Sequence, residues 1–267
     1  MTDMTRTTDK PASAAAIEAL TAAGGGGPEA LLGALVQRYG NRVTLASSLG
    51  AEDQVLTHML LAIEPRARIF VLDTGRLHQE TYDLMARTMS RYGMRYEVLF
   101  PDATAVQEMV SGEGPNLFYA SVAGRKRCCE VRKVEPLGRA LAGADAWITG
   151  LRRAQSPERG DTPLVEWDAA HAAVKANPLA EWSDEQVWDY LRAHGVPCNV
   201  LHDRGFLSIG CAPCTRAVEP GEPARAGRWW WEQGTAKECG LHVDGRPKER
   251  ADGDAGAGRR APAERRR

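Results

Sequence analysis

Between Val43 and Thr149, short β-prone runs alternate with segments whose apolar residues recur at helical spacing. This alternation limits the fold more than any other feature of the chain. Val43-Thr44-Leu45-Ala46 precedes a segment from Glu52 to Ile63 with Val55, Leu56, Met59, Leu60 and Ile63 on one face. Arg68-Ile69-Phe70-Val71-Leu72 is mostly apolar, as a strand buried on both faces must be. A helix is predicted from about Gln79 to Tyr92, a strand over Arg95 to Phe100, and a helix near Ala103 to Val110. A further strand is predicted at Ala146-Trp147-Ile148-Thr149. Repeated β–α units imply an α/β fold with a mostly parallel sheet flanked by helices. Ser183-Asp184-Glu185-Gln186 has the form of a capping box, and Gly195 can close that helix after Ala193-His194. No internal repeat is visible.

The two ends differ from this middle. Residues 1–27 are polar, then Ala-rich, then broken by Gly24-Gly25-Gly26-Gly27-Pro28, and are expected to be flexible. A short helix around Ser13 to Ala23 fits, with Ser13 as its cap. Residues 243–267 carry eight Lys/Arg and five Asp/Glu with almost nothing apolar, which predicts a disordered basic tail. Such a tail could touch nucleic acid or a partner, but its interspersed acids favour a solvated segment. With a net charge of -1 overall, the rest of the chain is mildly acidic, which argues against a phosphate-neutralising nucleic-acid binder. The 267 residues contain no run near the ~20 apolar residues that span a bilayer, and MTDMTRTTDK lacks the form of a secretion signal. A cytoplasmic location is therefore expected, where six cysteines serve as metal ligands or reactive thiols rather than as a disulfide framework. One domain over 28–242 is expected, with a mobile cysteine-bearing segment from about 219.

In an open parallel sheet, ligands bind beyond the carboxyl ends of the strands. The first strand leads into Ser47-Ser48-Leu49-Gly50-Ala51-Glu52-Asp53, whose backbone N–H groups at a helix start can receive an anion. Simple capping by Asp also produces such turns, so this one alone decides little. The next strand ends at Asp73-Thr74-Gly75-Arg76, and two polar turns on consecutive strands face one edge and suggest a nucleotide site. Thr149-Gly150 is followed by Leu151-Arg152-Arg153-Ala154-Gln155-Ser156, where guanidinium groups suit phosphate or sulfate oxygens. A single arginine there would read as a solvated loop.

Cys128 and Cys129 are adjacent within Lys126-Arg127-Cys128-Cys129-Glu130-Val131-Arg132-Lys133, and Cys211-Ala212-Pro213-Cys214 follows some eighty residues on. Adjacent cysteines point in different directions on a helix or strand, so packing rarely selects them. Together the four suit a tetrathiolate site of zinc or an iron–sulfur cluster. The contiguous pair fits a zinc knuckle poorly, and the flanking cations would offset the charge of a thiolate-ligated cluster. Cys239, in Lys237-Glu238-Cys239-Gly240-Leu241-His242, has Lys and His neighbours that can hold it as a nucleophilic thiolate. The competing reading joins Cys239 and His242 to Cys211 and Cys214 in a zinc site. Cys198 has no partner motif and is expected to be buried and inert.

Taken together, these segments resemble the assimilatory sulfonucleotide reductases, specifically the cluster-containing bacterial adenylyl-sulfate (APS) reductases. The matching pieces are Ser47–Asp53, Leu72-Asp73-Thr74-Gly75, Lys126-Arg127-Cys128-Cys129, Thr149-Gly150-Leu151-Arg152-Arg153 and Asn177-Pro178-Leu179. They continue through Ile209–Arg216, Gly227-Arg228-Trp229-Trp230-Trp231 and Lys237–His242, in family order. The resemblance implies an adenine-nucleotide α-hydrolase-like fold related to the ATP pyrophosphatases. The S-G-G-x-D-S loop of those relatives is altered here by Leu49, Ala51 and Gln54, as is typical of the reductases.

The resemblance further implies a [4Fe–4S] cluster on Cys128, Cys129, Cys211 and Cys214, and reduction of APS to sulfite and AMP with thioredoxin as donor. Cys239 would be the nucleophile, with His242 steadying it. Lys133, Arg152, Arg225 and Arg228 would hold the sulfate and phosphate oxygens. Ser47, Ser48, Asp53, Leu72 and Thr74 would meet the nucleotide, and Gly150 would allow close approach. A PAPS or dual-specificity reductase and a zinc-bearing non-redox nucleotide-binding protein are the alternatives. A homo-oligomer is in keeping with the resemblance, and Glu130 stands where relatives often carry a smaller residue.

Overall fold

The computed structural model describes residues 14–232. The strands β1 (Val43–Ser47), β2 (Arg68–Leu72), β3 (Glu97–Leu99), β4 (Ala146–Ile148), β5 (Val165–Asp168) and β6 (Ala173–Ala176) form one sheet in the order β3-β2-β1-β4-β6-β5. Every pairing is parallel except that of β5 with β6. Leu45 pairs with Ile69 on one side and Ile148 on the other, so β1 lies at the centre and is buried along most of its length. The chain builds outward from β1 to β2 and β3, then returns to place β4 on β1's other side. That reversal opens a crevice between the carboxyl ends of β1 and β4.

The helices follow the apolar spacing. α3 (Ala51–Ile63) starts directly after Gly50 and buries Val55, Leu56, Met59 and Leu60 against the sheet. α4 (Gln79–Tyr92) buries Leu84 and Met85 and stops at Gly93, which takes a left-handed conformation. α5 (Ala103–Glu113) is capped by Asp102, whose side chain accepts from Ala105 N. α9 (Asp184–Ala193) begins with the expected reciprocal Ser183–Gln186 capping box.

Three parts of the architecture depart from the sequence reading. The short helix expected around Ser13 to Ala23 is present as α1 (Ala14–Gly24), but within a segment expected to be flexible it is packed down, with Ala16 and Leu20 buried. Its glycine run is the turn into α2 (Pro28–Tyr39), which places Leu31, Leu32 and Leu35 in the main core. Burial of Leu20 beside these leucines is what holds α1 down. The β5–β6 hairpin is the second departure. Third, residues 219–232 of the segment expected to be mobile are docked on the body, with Trp229 only 1% exposed and Arg216 paired to Glu222. No helix among the described residues is long and apolar enough to cross a membrane.

A second, smaller core lies apart from the main one. α6 (Leu117–Ala120) and α7 (Val122–Cys129) lead through a π-helical turn, Glu130–Val134, into α8 (Glu135–Leu141). Phe118, Cys128, Val131, Cys211, Cys214 and Trp229 pack together there. Insertion of a π turn within a helix commonly marks a functional position. Here it follows Cys129 directly and carries Arg132 and Lys133.

Candidate active site

A cavity of about 250 Å³ fills the crevice between β1 and β4. Ser47, Ser48 and Asp53 line it from the β1–α3 turn, Leu72 and Thr74 from the end of β2, and Gly150 and Arg152 from the loop after β4. Lys133 enters from the π turn, and Arg225 and Arg228 come from the C-terminal region. The structure thus brings together ten of the residues singled out from the sequence. Cys239 and His242 lie outside the described residues, as does the basic tail.

The β1–α3 turn is held by its own acid. The Asp53 carboxylate accepts from the Ser48 backbone N–H and hydroxyl, both at 2.6 Å. Leu49 sits at φ 61, left-handed for a non-glycine residue, so local strain accompanies this arrangement. Burial pushes the Asp53 carboxyl up to about 6, against the pull of the Ser48 hydrogen bonds. Gly150 faces it across the crevice: a Cβ there would overlap Asp53 Oδ1 and stand 2.9 Å from Glu52 Cβ. Only glycine lets the two loops approach this closely.

Arg152 serves the wall differently from the expectation of an oxyanion holder. Its Nε donates to Glu52 at 2.9 Å, its Nη1 to the Trp182 carbonyl at 3.0 Å, and its Nη2 to Asp184. Gln155 also donates to Glu52, at 2.9 Å. With its guanidinium engaged by these acceptors, Arg152 braces the loop after β4 against the starts of α3 and α9. Arg228 is buried and contacts the Ser208 hydroxyl and the Ile209 carbonyl, both at 3.3 Å, while its Nε has no hydrogen-bond partner. Gly210 permits this, because a Cβ there would overlap the Arg228 guanidinium.

A second cavity, of about 20 Å³, adjoins the first. Cys128, Cys129, Cys211 and Cys214 all line it, and all four are buried. Lys133, Arg228, Cys211 and Trp229 belong to both cavities, so the basic end of the larger one opens onto the cysteines. Thr74 links them directly, its hydroxyl 3.3 Å from Cys211 Sγ. Burial pushes the Cys211 thiol up, but Lys133, the Thr74 hydroxyl, Arg228 and Arg132 outweigh it and hold Cys211 below the usual range. Cys214 is pushed up to about 12, by burial first and then by the negative Cys211. The Cys128 thiol also rises with burial, opposed by Arg132 and Arg76.

No three His, Cys, Asp or Glu side chains among the described residues are grouped to hold one metal ion. The four cysteines nevertheless suit a larger, multi-atom centre. They line one cavity, cations line it too, and two of its lining residues, Arg132 and Trp229, have a buried donor (Nε and Nε1) without a hydrogen-bond partner. None of the five described cysteines is in a disulfide. Cys198 is half-buried, with its thiol pushed up by burial.

Sequence reasoning passed over several residues of the site. Arg132, read only as one cation in a basic run, is buried and donates from Nη1 to the Thr74 carbonyl at 2.7 Å. Glu52 and Gln155 were within motifs already noted, but their shared grip on Arg152 depends on distant loops. His202 lines the larger cavity, with Nδ1 2.8 Å from the Phe206 carbonyl; burial lowers its pKa and favours a neutral ring. Its Leu201-His202 context carries no local signal.

Residues 42–217 match the family model described as phosphoadenosine phosphosulfate reductase domain. The chain is similar to the adenosine 5'-phosphosulfate reductase of Burkholderia cepacia, 48% identical over 257 residues, covering 96% of this chain and 99% of that one. It is 54% identical over 200 residues to the adenosine 5'-phosphosulfate reductase of Allochromatium vinosum, covering 75% and 78%. Among solved structures, the phosphoadenylyl-sulfate (PAPS) reductase of Candida auris, a phosphate complex, superposes with a TM-score of 0.66 at 25% identity. That match covers 79% of this chain and all of the other. Yeast FAD synthetase shares the fold at a TM-score of 0.52 and 14% identity, covering 78% and 70%.

Proposed function

The chain belongs to the phosphoadenosine phosphosulfate reductase family, and from that membership we propose that it reduces adenosine 5'-phosphosulfate to sulfite and AMP. The relatives at 48% and 54% identity are named adenosine 5'-phosphosulfate reductase. The observation that carries the reading is the junction of the two cavities. A nucleotide-sized crevice at the sheet's switch point ends in Lys133 and Arg228, directly beside four buried cysteines.

In the proposed reaction the adenosine lies against the turns after β1, β2 and β4, and the phosphosulfate reaches toward Lys133, Arg225 and Arg228. Their positive charge holds the phosphate and sulfate oxygens while an anion approaches. The Cys239 thiolate attacks the sulfur, an S–S bond forms, the S–O bond breaks and AMP leaves. A thiolate of reduced thioredoxin then attacks the Cys239 sulfur and expels sulfite, and its second thiol closes the thioredoxin disulfide. Two electrons pass from the dithiol to sulfur, and all atoms are accounted for. Cys128, Cys129, Cys211 and Cys214 would hold a [4Fe–4S] cluster, which when bound supplies local charge beside the sulfo group. Thr74, whose hydroxyl lies 3.3 Å from Cys211 Sγ, would help orient that thiolate ligand, and Arg132 would offset the charge of the site. The reducing chemistry of the proposed reaction suits a cytoplasmic setting.

The test is mass analysis of the full chain after incubation with APS alone. A sulfonate adduct on Cys239 is expected, and Cys239→Ser should lose adduct and sulfite production while still binding AMP. Sulfite production by that variant at the native rate would overturn the proposal. Turnover of APS and PAPS with reduced thioredoxin separates the two substrate readings, with APS expected to be faster.

A further inference from the structure

Asp53 brings a carboxylate into the crevice that the proposed reaction gives to an anion. Its side chain is 6% exposed, and both hydrogen bonds it accepts, from the Ser48 N–H and hydroxyl, end on Oδ2. Oδ1 abuts Gly150 of the facing loop instead, so closely that a Cβ there would overlap it. Oδ1 is thus a carboxylate oxygen in the nucleotide crevice that neither of these hydrogen bonds satisfies.

The charges around Asp53 do not neutralise it. Glu52, its neighbour on α3, is a second acid and opposes its ionisation. Tyr96, just before β3, is a phenol pushed up to about 12, by burial first and by Asp53 among the smaller causes. The Arg152 guanidinium is claimed by Glu52 and by Asp184 of α9. Lys133, Arg159, Arg225, Arg228 and His202 line the same crevice, but none of them pairs with Asp53. Burial already pushes the Asp53 carboxyl up to about 6 against the Ser48 hydrogen bonds, and the Gly50 N–H adds only the weakest pull. An entering nucleotide expels water and adds negative charge, and both changes favour the protonated acid further. A buried, unpaired carboxylate beside a phosphate is the costly alternative.

We propose that Asp53 is a proton-linked binding group: as the anionic nucleotide enters, Oδ1 takes one proton from solvent and presents an O–H donor to a nucleotide oxygen. The proton returns to solvent when the nucleotide leaves. Oδ2 stays an acceptor for Ser48 throughout, so the β1–α3 turn keeps its shape while the charge of the crevice changes. The proposal rests on the crevice being the nucleotide site.

The experiment is titration calorimetry of the full chain with AMP at about pH 7.5, in two buffers of different ionisation enthalpy, which counts the protons exchanged. The native chain should take up about half a proton or more per AMP bound, and its Kd should rise by up to ~10-fold per pH unit above that point. Asp53→Asn keeps an acceptor for Ser48 and places a donor where Oδ1 was, so it imitates the protonated acid. It should bind AMP at least as tightly as the native chain, without proton uptake and with a flat pH profile. Infrared difference spectra of the native chain should gain the carbonyl band of a carboxylic acid when AMP is added, a readout that needs no variant. AMP binding by the native chain without proton uptake, or without that band, would overturn the proposal. Binding by folded Asp53→Asn that is ~10-fold weaker would do so too, because the ligand would then require the ionised carboxylate. Failure of the native chain to bind AMP at all would instead overturn the nucleotide crevice itself.

Discussion

The two adjoining cavities are built on different principles. The larger one is made of turns at the ends of β1, β2 and β4, so its shape comes from backbone geometry at a sheet's switch point. The smaller one is made of side chains from three stretches far apart in sequence: the loop after β2, the region from α6 to the π turn, and 211–229. Backbone turns give a site that tolerates many side chains but few Cβ atoms. A side-chain site tolerates backbone variation but needs every donor. The two should therefore fail separately when altered separately.

The strongest test of that separation is Cys214→Ala, since Cys214 lines only the smaller cavity. Iron and sulfide content of anaerobically purified protein should fall sharply. Sulfite production should drop by more than the ~10–100-fold that loss of an outer partner of a metal ligand typically costs. AMP affinity should fall far less than sulfite production, because Cys214 does not line the larger cavity. A parallel loss of AMP binding would mean that the cavities form one unit.

The reciprocal test is Gly150→Ala. Its Cβ would overlap Asp53 Oδ1, an overpacking that costs about 1–3 kcal/mol, or roughly 10–100-fold in AMP affinity by titration calorimetry. The visible absorption of the cysteine site should be unchanged. Equal AMP binding in the two proteins would show that the loops can part without loss.

A smaller effect concerns stability alone. The Asp53 carboxyl is raised from 3.8 to about 6, so the folded state binds its proton more tightly than the unfolded state does. Its contribution is therefore greatest below pH 4 and is lost as pH rises through the window from about 4 to 6, by up to ~3 kcal/mol. Denaturant unfolding across that window should show the decline in the native chain and a flatter profile in Asp53→Asn. An identical slope in the variant would assign the decline to another group.

Legibility in the sequence follows the same division. Strands β1, β2 and β4 could be read because each is an apolar run with a turn at its end. β5 and β6 could not, because Glu166 and Lys175 interrupt the pattern. These charges pair across the hairpin at 2.8 Å, with Lys175 buried, so residues that look solvent-facing lie inside. Leu20 hid for the opposite reason, as one leucine in an Ala-rich stretch whose burial depends on the leucines of α2.

The sequence by itself determined the parallel half of the sheet, the strand-end turns and the cysteines as a set, since each rests on local periodicity or a motif of a few residues. Tertiary structure alone decided what Arg152 does. That arginine seemed fitted to an oxyanion, but Glu52, a hundred positions away, and Asp184 claim its guanidinium first. It also decided that the cysteines share a wall with the crevice and that Glu232 meets Arg125. These outcomes depend on which charges are brought together without water between them, and no local stretch of sequence encodes that.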